Sequence, residues 1–241
     1  MRIFSKRLPF YLLLFAVAFQ ATLTFCYSIT IHYELKASAL DGALFEQLLG
    51  NFLNGDGLTT SIAPPYISQH WLGLHFSPIL YAIAPIYWLF PHIETLLFLQ
   101  SFCIAFAAIP LFFTMRIILQ DSHNSSLRAK GEAIQTINMV KNWIASSAMP
   151  PRNDNQSNYQ ALLLSLLYLI NPFVVNAQLW DFHEIAFAPL TLALMLWAVA
   201  ARKRGWLVLF CAILLTIKEH YGLAVLGSGL LWAWHWRNTK T

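Results

Sequence analysis

Charge is what this chain has least of. Only 11% of its 241 residues are Asp, Glu, Lys or Arg, while 58% are apolar. A water-soluble domain carries about 25% charged residues, so a soluble globule is excluded as the whole architecture. Cysteine is almost as scarce. Cys26, Cys103 and Cys211 each lie inside an apolar run, which excludes a disulfide framework and a thiolate metal site. No glycine-rich nucleotide-binding motif occurs. The net charge of +4 comes from basic residues scattered between apolar runs, which excludes a clustered nucleic-acid surface.

What the chain does have is length without charge. PFYLLLFAVAFQATLTFCYSI (9–29) and TLLFLQSFCIAFAAIPLFFTM (95–115) are uncharged. Each has the roughly 20 residues needed to cross a hydrocarbon core of about 30 Å. Further apolar runs give six candidate spans, at 9–29, 94–117, 159–179, 184–201, 205–218 and 220–236. The expected fold is an all-α polytopic membrane domain over 1–241, with about six crossing helices plus outer juxtamembrane helices. The N-terminal run is longer than a secretory h-region and is read as an uncleaved first span. FSPILYAIAPIYWLF (76–90) is short and contains Pro78 and Pro85, which favours a re-entrant or interfacial helix over a crossing.

Charge asymmetry supports that choice. If 76–90 does not cross, every one of the 15 Lys and Arg residues except Lys36 and Lys218 lies on one side, which the positive-inside rule makes cytoplasmic. The N-terminus and the polar loop 118–158 then lie inside. The first outer loop, 30–93, lies outside. The expected location is a membrane, with the N-terminus on the cytoplasmic side. The same topology sends most acids and histidines to the outer face.

Four stretches on that face carry chemistry. SALDGALFEQLLGNFLNGDG (38–57) predicts an amphipathic helix, with Leu40, Leu44, Leu48 and Phe52 repeating every fourth residue and Gly55-Asp56-Gly57 closing it. Asp41 has two readings there. It completes a capping box with Ser38, or it is a carboxylate at the membrane surface placed to take a proton from a hydroxyl. QHWLGLHFSP places His70 and His75 five apart, off the four-residue spacing a helical zinc pair prefers. WDFHEIAF sets Asp181, His183 and Glu184 in a short outer turn. KEH sets Lys218, Glu219 and His220 at an outer helix end, because one helix over 205–236 would be about 48 Å long, and buried charges there need water or a cavity. Glu219 is the expected neutraliser of Lys218.

The ordered motifs LDGALFEQ, LHFSPIL, DFHEIAFAP and IKEH resemble those of a domain-of-unknown-function family of bacterial multi-span membrane proteins. That family reads aromatic-D-x-G-x-F-D-Q, HFSP, DFH and K-E-D, over a region matching roughly 36–236 here. It is thought to be a distant branch of the GT-C superfamily, multi-span glycosyltransferases that use polyprenyl-phosphate sugars. Leu40, Glu46 and His220 stand where the family has an aromatic, often Asp and often Asp. The resemblance implies a GT-C-like N-terminal half in the inner membrane of a bacterium. Asp41 would be the catalytic base, and Glu46, His75, Asp181, His183, Lys218 and Glu219 would bind substrate. A polyprenyl-phosphate-linked sugar and membrane lipid are the implied partners, without nucleic acid. No cofactor is implied beyond a divalent metal, which stays open. Such proteins continue for several more spans, so this chain is expected to be incomplete, with a C-terminal half missing. Two readings from other classes stand beside this one: a transporter or ion-binding protein using the DFHE and KEH clusters, and a non-catalytic remnant.

Overall fold

The computed structural model describes residues 2–36, 39–62, 69–121 and 154–237. The expected capping box at Ser38 and most of the polar loop 118–158 lie outside the described residues. Within them the chain is all-helical apart from one isolated bridge between Thr59 and His70.

Helix α1 (Arg2–Tyr33) has an apolar stretch, Arg7–Tyr33, of 27 residues, within which an 18-residue window reaches a mean hydropathy of 1.8. Its buried positions are Leu13, Val17, Ala21, Thr24 and Ser28. These recur every third or fourth residue and so form one narrow stripe. That stripe is smaller and more polar than the opposite surface, which shows Phe15, Phe19, Leu23 and Tyr27. A helix with small and hydroxylated residues inward and large apolar residues outward is built for lipid. Thr24 and Ser28 satisfy their hydroxyls by donating to the carbonyls of Gln20 and Thr24, at 2.9 and 2.8 Å.

Against this stripe pack α4 (Ile93–Asp121, with a turn at Ala107) and α5 (Asp154–Leu169). Between α5 and α6 (Pro172–Leu179) the axis bends by 49°. The cause is local: Asn171 caps α6 by accepting the Phe173 N–H at 2.9 Å, with Pro172 at its first position. The break costs α5 backbone bonds, and buried side chains replace them. The Gln20 amide donates to the Leu169 carbonyl at 2.7 Å and to Gln178 Oε1 at 2.9 Å. Gln178 in turn donates to the Ser101 carbonyl at 2.9 Å, and its own carbonyl receives the Ser28 hydroxyl at 2.9 Å.

A second cluster packs α2 (Ala39–Leu53) and α3 (Ile79–Leu89) around Trp71, Phe182 and the start of α4. The buried face of α2 is Leu44, Phe45, Leu48 and Leu49, whereas Leu40 is 58% exposed. The expected stripe therefore begins one turn later than Leu40. Gly55 and Gly57 carry φ of 93° and 73°, the left-handed turn expected after α2. Helix α3 has 11 residues, about 17 Å at 1.5 Å per residue, which is too short to cross.

A third cluster joins α7 (Ala188–Ala200), α8 (Arg204–Ile217) and α9 (Gly222–Arg237). Here the expected count of six crossings needs correction. Among the described residues two helices, Arg7–Tyr33 and Ile93–Asp121, are long and apolar enough to cross, or three if bent α5–α6 is one span. Glu184–Ala200 and Arg204–Ile217 fall in the 10–17-residue range. These helices match the apolar runs 184–201 and 205–218 in extent, and the runs are themselves shorter than the roughly 20 residues a crossing takes. Arg202, in the left-handed region at φ 56°, ends one of them, and Lys218, extended at φ −164° and ψ 147°, ends the other.

The glutamine network leads to a prediction. Gln178→Leu leaves the Ser101 carbonyl and a Gln20 N–H unpaired, and costs about 1 to 2 kcal/mol. A fall of a few degrees in Tm of the detergent-purified chain is the expected result; an unchanged Tm would show that these bonds contribute nothing.

Candidate functional site

The turn between α6 and α7 is extended from Trp180 to His183, then forms a 3-10 turn, Glu184–Phe187. Extended backbone alternates its side chains. Phe182 goes inward and meets Phe45 edge-on at 5.2 Å, while the His183 N–H is held by Gln100 Oε1 at 3.0 Å. Gln100 Nε2 also donates to the Trp180 carbonyl at 2.7 Å. The turn is thus anchored to α4 at both ends.

Glu184 is the centre of the site. Its side chain has 0% exposure, yet it is a carboxylate. Burial pushes its pKa up, but the His183 hydrogen bond and charge, the Lys218 ammonium and its own backbone amide outweigh that and hold it below the ordinary value. Oε1 takes the Ser77 hydroxyl at 3.1 Å and the Lys218 ammonium at 3.2 Å. Oε2 lies 2.7 Å from His183 Nδ1. Three separate segments therefore meet on one carboxylate: the lead-in to α3, the 180–187 turn and the break between α8 and α9.

This corrects the expected pairing of Lys218. The extended backbone at Lys218 sends its side chain, 13% exposed, to Glu184. Glu219 goes elsewhere: it accepts the Phe76 N–H at 3.2 Å and lies 3.8 Å from His75 Nδ1. Its own backbone amide, then Phe76 and His75, hold Glu219 below the ordinary carboxylate value against a small burial effect. His75 also lies beside the Trp71 ring at 4.9 Å.

A group of carboxylates borders this network. Phe45 meets both Phe182 and His183, at 5.2 and 5.3 Å. Asp41 lies one helical turn before Phe45. Asp181 is 8% exposed and its Oδ2 is buried without a hydrogen-bond partner. Burial, and next the charge of Asp41, raise the Asp181 pKa against the opposing charge of His32. Glu46 is raised chiefly by burial and further by Glu94, against His32, His92 and a hydrogen bond from Tyr87 at 3.5 Å. Tyr87 is pushed up to about 12 by burial and then by Glu46. His32 thus faces both Asp181 and Glu46. Next to this group, Phe25, Phe98, Phe90, Tyr33, His92 and Glu94 line an open cleft of about 640 Å³ between α1, α3 and α4. Its lining is mostly apolar and aromatic, and within it the Tyr33 hydroxyl donates to Glu94.

Of the residues singled out in the sequence, His183 and Lys218 share Glu184, Asp41 acts on Asp181, and His75 and Glu219 face one another. Glu46 lies apart with Tyr87. No group of three or more His, Cys, Asp or Glu able to hold a metal occurs among the described residues. Sequence reasoning assigned no role to Ser77 or His32, and none to Glu184 beyond its place in the DFHE cluster of the transport reading. Glu184 and Ser77 both stand inside quoted motifs, DFHE and HFSP, and a buried-acid role was readable from Glu184 opening an apolar run.

The shifts fix the sign of a pH response. Glu184 and Glu219 bind protons less readily folded than unfolded, so their stabilisation is present above the ordinary glutamate value of 4.5 and is lost as pH falls through their folded values. Glu46 and Asp181 are raised, so they add stability as pH falls from neutral through their folded values. Tm of the purified chain should therefore pass through a maximum at mildly acid pH. Glu219→Gln should flatten the acid limb, and Asp181→Asn the neutral limb; a profile without a maximum would contradict these environments.

No curated protein and no solved structure matches the chain. A family described as "Predicted membrane protein (DUF2079)" matches residues 31–241, a range that takes in all four motifs and every residue of the site. With its apolar spans and this match, the chain belongs to the DUF2079 family of predicted membrane proteins.

Proposed function

We propose that this protein is a membrane glycosyltransferase of GT-C type, taking a sugar from a polyprenyl-phosphate donor to an acceptor hydroxyl on the outer face of a bacterial inner membrane. The observation that carries this reading is the adjacency of two unlike features. An aromatic cleft opens between the ends of two membrane-length helices, and a group of carboxylates and histidines borders its rim. An isoprenoid chain needs the first and a hydroxyl-bearing sugar needs the second.

In this reading the acceptor oxygen bonds to the sugar C1 as the bond from C1 to the phosphate oxygen breaks. The electron pair leaves with the phosphate, and the hydroxyl proton passes to Asp41. Asp181, raised by burial and then by the Asp41 charge, is the neighbouring acid. Glu46 binds sugar hydroxyls. Lys218 shares its charge with Glu184, so His183 and His75 carry the larger part of the contact with the departing phosphate. Glu219 holds His75. A transport path is less well supported, because the Asp, Glu, Lys, Arg and His of the two long helices lie within about two turns of their ends.

The test is transfer from polyprenyl-phosphate sugars by membranes carrying the chain. Asp41→Asn should lower the rate about 100-fold or more with unchanged insertion and yield. Full activity of that variant would end the assignment.

A further inference from the structure

Helices α1 and α4 also come together at the end of the bundle away from Glu184, and ring contacts fix their register. Phe25 meets Phe98 at 5.5 Å, and Phe10 meets Phe112 and Phe113 at 5.9 and 5.4 Å. As the numbers fall along one helix they rise along the other, so the pair is antiparallel. Arg7 stands three residues before Phe10, and Arg116 stands four after Phe112 and three after Phe113. Residues three or four apart share a helix face. Both arginines are therefore one turn beyond the same aromatic contact, in the same direction, on the faces that the two helices turn toward each other. Axes of packed helices lie about 8 to 10 Å apart, so one oxyanion at that level is within reach of both side chains.

Two like charges at one level repel. Among the described residues neither guanidinium is in an ion pair. The nearest acid on α4, Asp121, lies five residues past Arg116 and so about 140° round the helix. Arg116 Nε is buried without a hydrogen-bond partner, and a guanidinium neither gives up its proton nor accepts a bond from its neighbour. The surface around the pair is apolar. Leu8, Tyr11 and Leu12 on α1 and Ile118 on α4 are exposed, and on helices of membrane length such a surface faces lipid. The two arginines thus stand where hydrocarbon gives way to headgroups.

We propose that Arg7 and Arg116 form a binding site for the phosphate of a net-anionic phospholipid, which bridges α1 and α4 at this end of the bundle. A planar guanidinium matches phosphate oxygens in paired, charge-assisted bonds, and basic sites between membrane helices hold anionic headgroups in this way. Charge complementarity selects the occupant. Two cations at one level are matched by a lipid that carries a net negative charge, whereas the ammonium of a zwitterionic lipid offsets its own phosphate. The lipid also lays its acyl chains on Leu8 and Tyr11, which a free phosphate cannot do. The site shares no residue with the transferase reading and stands without it.

The experiment is native mass spectrometry and thermal unfolding of the full chain in detergent, with phosphatidylglycerol, phosphatidylcholine or inorganic phosphate added. Phosphatidylglycerol should be retained by the native chain and raise its Tm, and the other two should do neither. Arg7→Gln and Arg116→Gln should each weaken phosphatidylglycerol binding about tenfold. Arg116→Lys should lose less, because it keeps the charge and gives up only the planar fork. Lys203→Gln removes an exposed cation between α7 and α8 and should leave binding unchanged. The exposed Arg7 and the Arg116→Lys variant keep the test decisive if Arg116→Gln does not fold. Equal retention of phosphatidylcholine, stabilisation by inorganic phosphate as strong as by the lipid, or a loss in Lys203→Gln as large as in Arg7→Gln would overturn the proposal.

Discussion

A carboxylate withdrawn from solvent must be matched by donors or lose its charge, and in this fold that requirement falls on Glu184. Its two oxygens meet a hydroxyl, an ammonium and an imidazole supplied by three segments far apart in sequence. Each segment is short and irregular: the lead-in to α3, an extended turn, and a helix break. A buried ion pair adds little net stability compared with an apolar replacement, but it penalises every arrangement that leaves one charge alone. The interaction therefore selects a geometry more than it strengthens one, and the geometry it selects brings His183 beside Phe45 and the turn of α2 that carries Asp41.

The scaffold beneath follows a different rule. In α1 the inward stripe is smaller and more polar than the opposite surface, and glutamine amides capture the Leu169 carbonyl at the α5–α6 bend and the Ser101 carbonyl of α4. Between helices in lipid the gain comes from close approach and from bonds that no water competes for. Gln100 connects the two systems, since its amide holds the Trp180 carbonyl and its oxygen holds the His183 N–H. The site is thus set on the end of a rigid helix pair, although its own residues come from turns.

Much of this was legible in the sequence. The length of charge-free runs identified α1 and α4. The shortness and prolines of 76–90 identified α3 as a helix that does not cross. Gly55 and Gly57 marked their turn, and KEH marked a helix end. What could not be read were contacts set by tertiary approach. Proximity in sequence suggested Glu219 as the partner of Lys218, but an extended residue points opposite to its neighbour, and the partner lies 34 positions away. Likewise apolarity alone does not make a crossing: the runs 184–201 and 205–218 form helices of the extent read from the sequence but short of a full span, and the break at Asn171-Pro172 bends the run 159–179 that was read as one span.

The central claim is that Glu184 and Lys218 act as one unit that fixes this end of the bundle. A double-mutant cycle on chain purified in detergent measures it directly. Glu184→Leu alone, which strands the Lys218 charge, is predicted to cost about 3 to 5 kcal/mol, and Lys218→Met alone a comparable amount. The pair together is predicted to cost far less than their sum, because neither charge is then left unmatched. Additive losses would contradict the account.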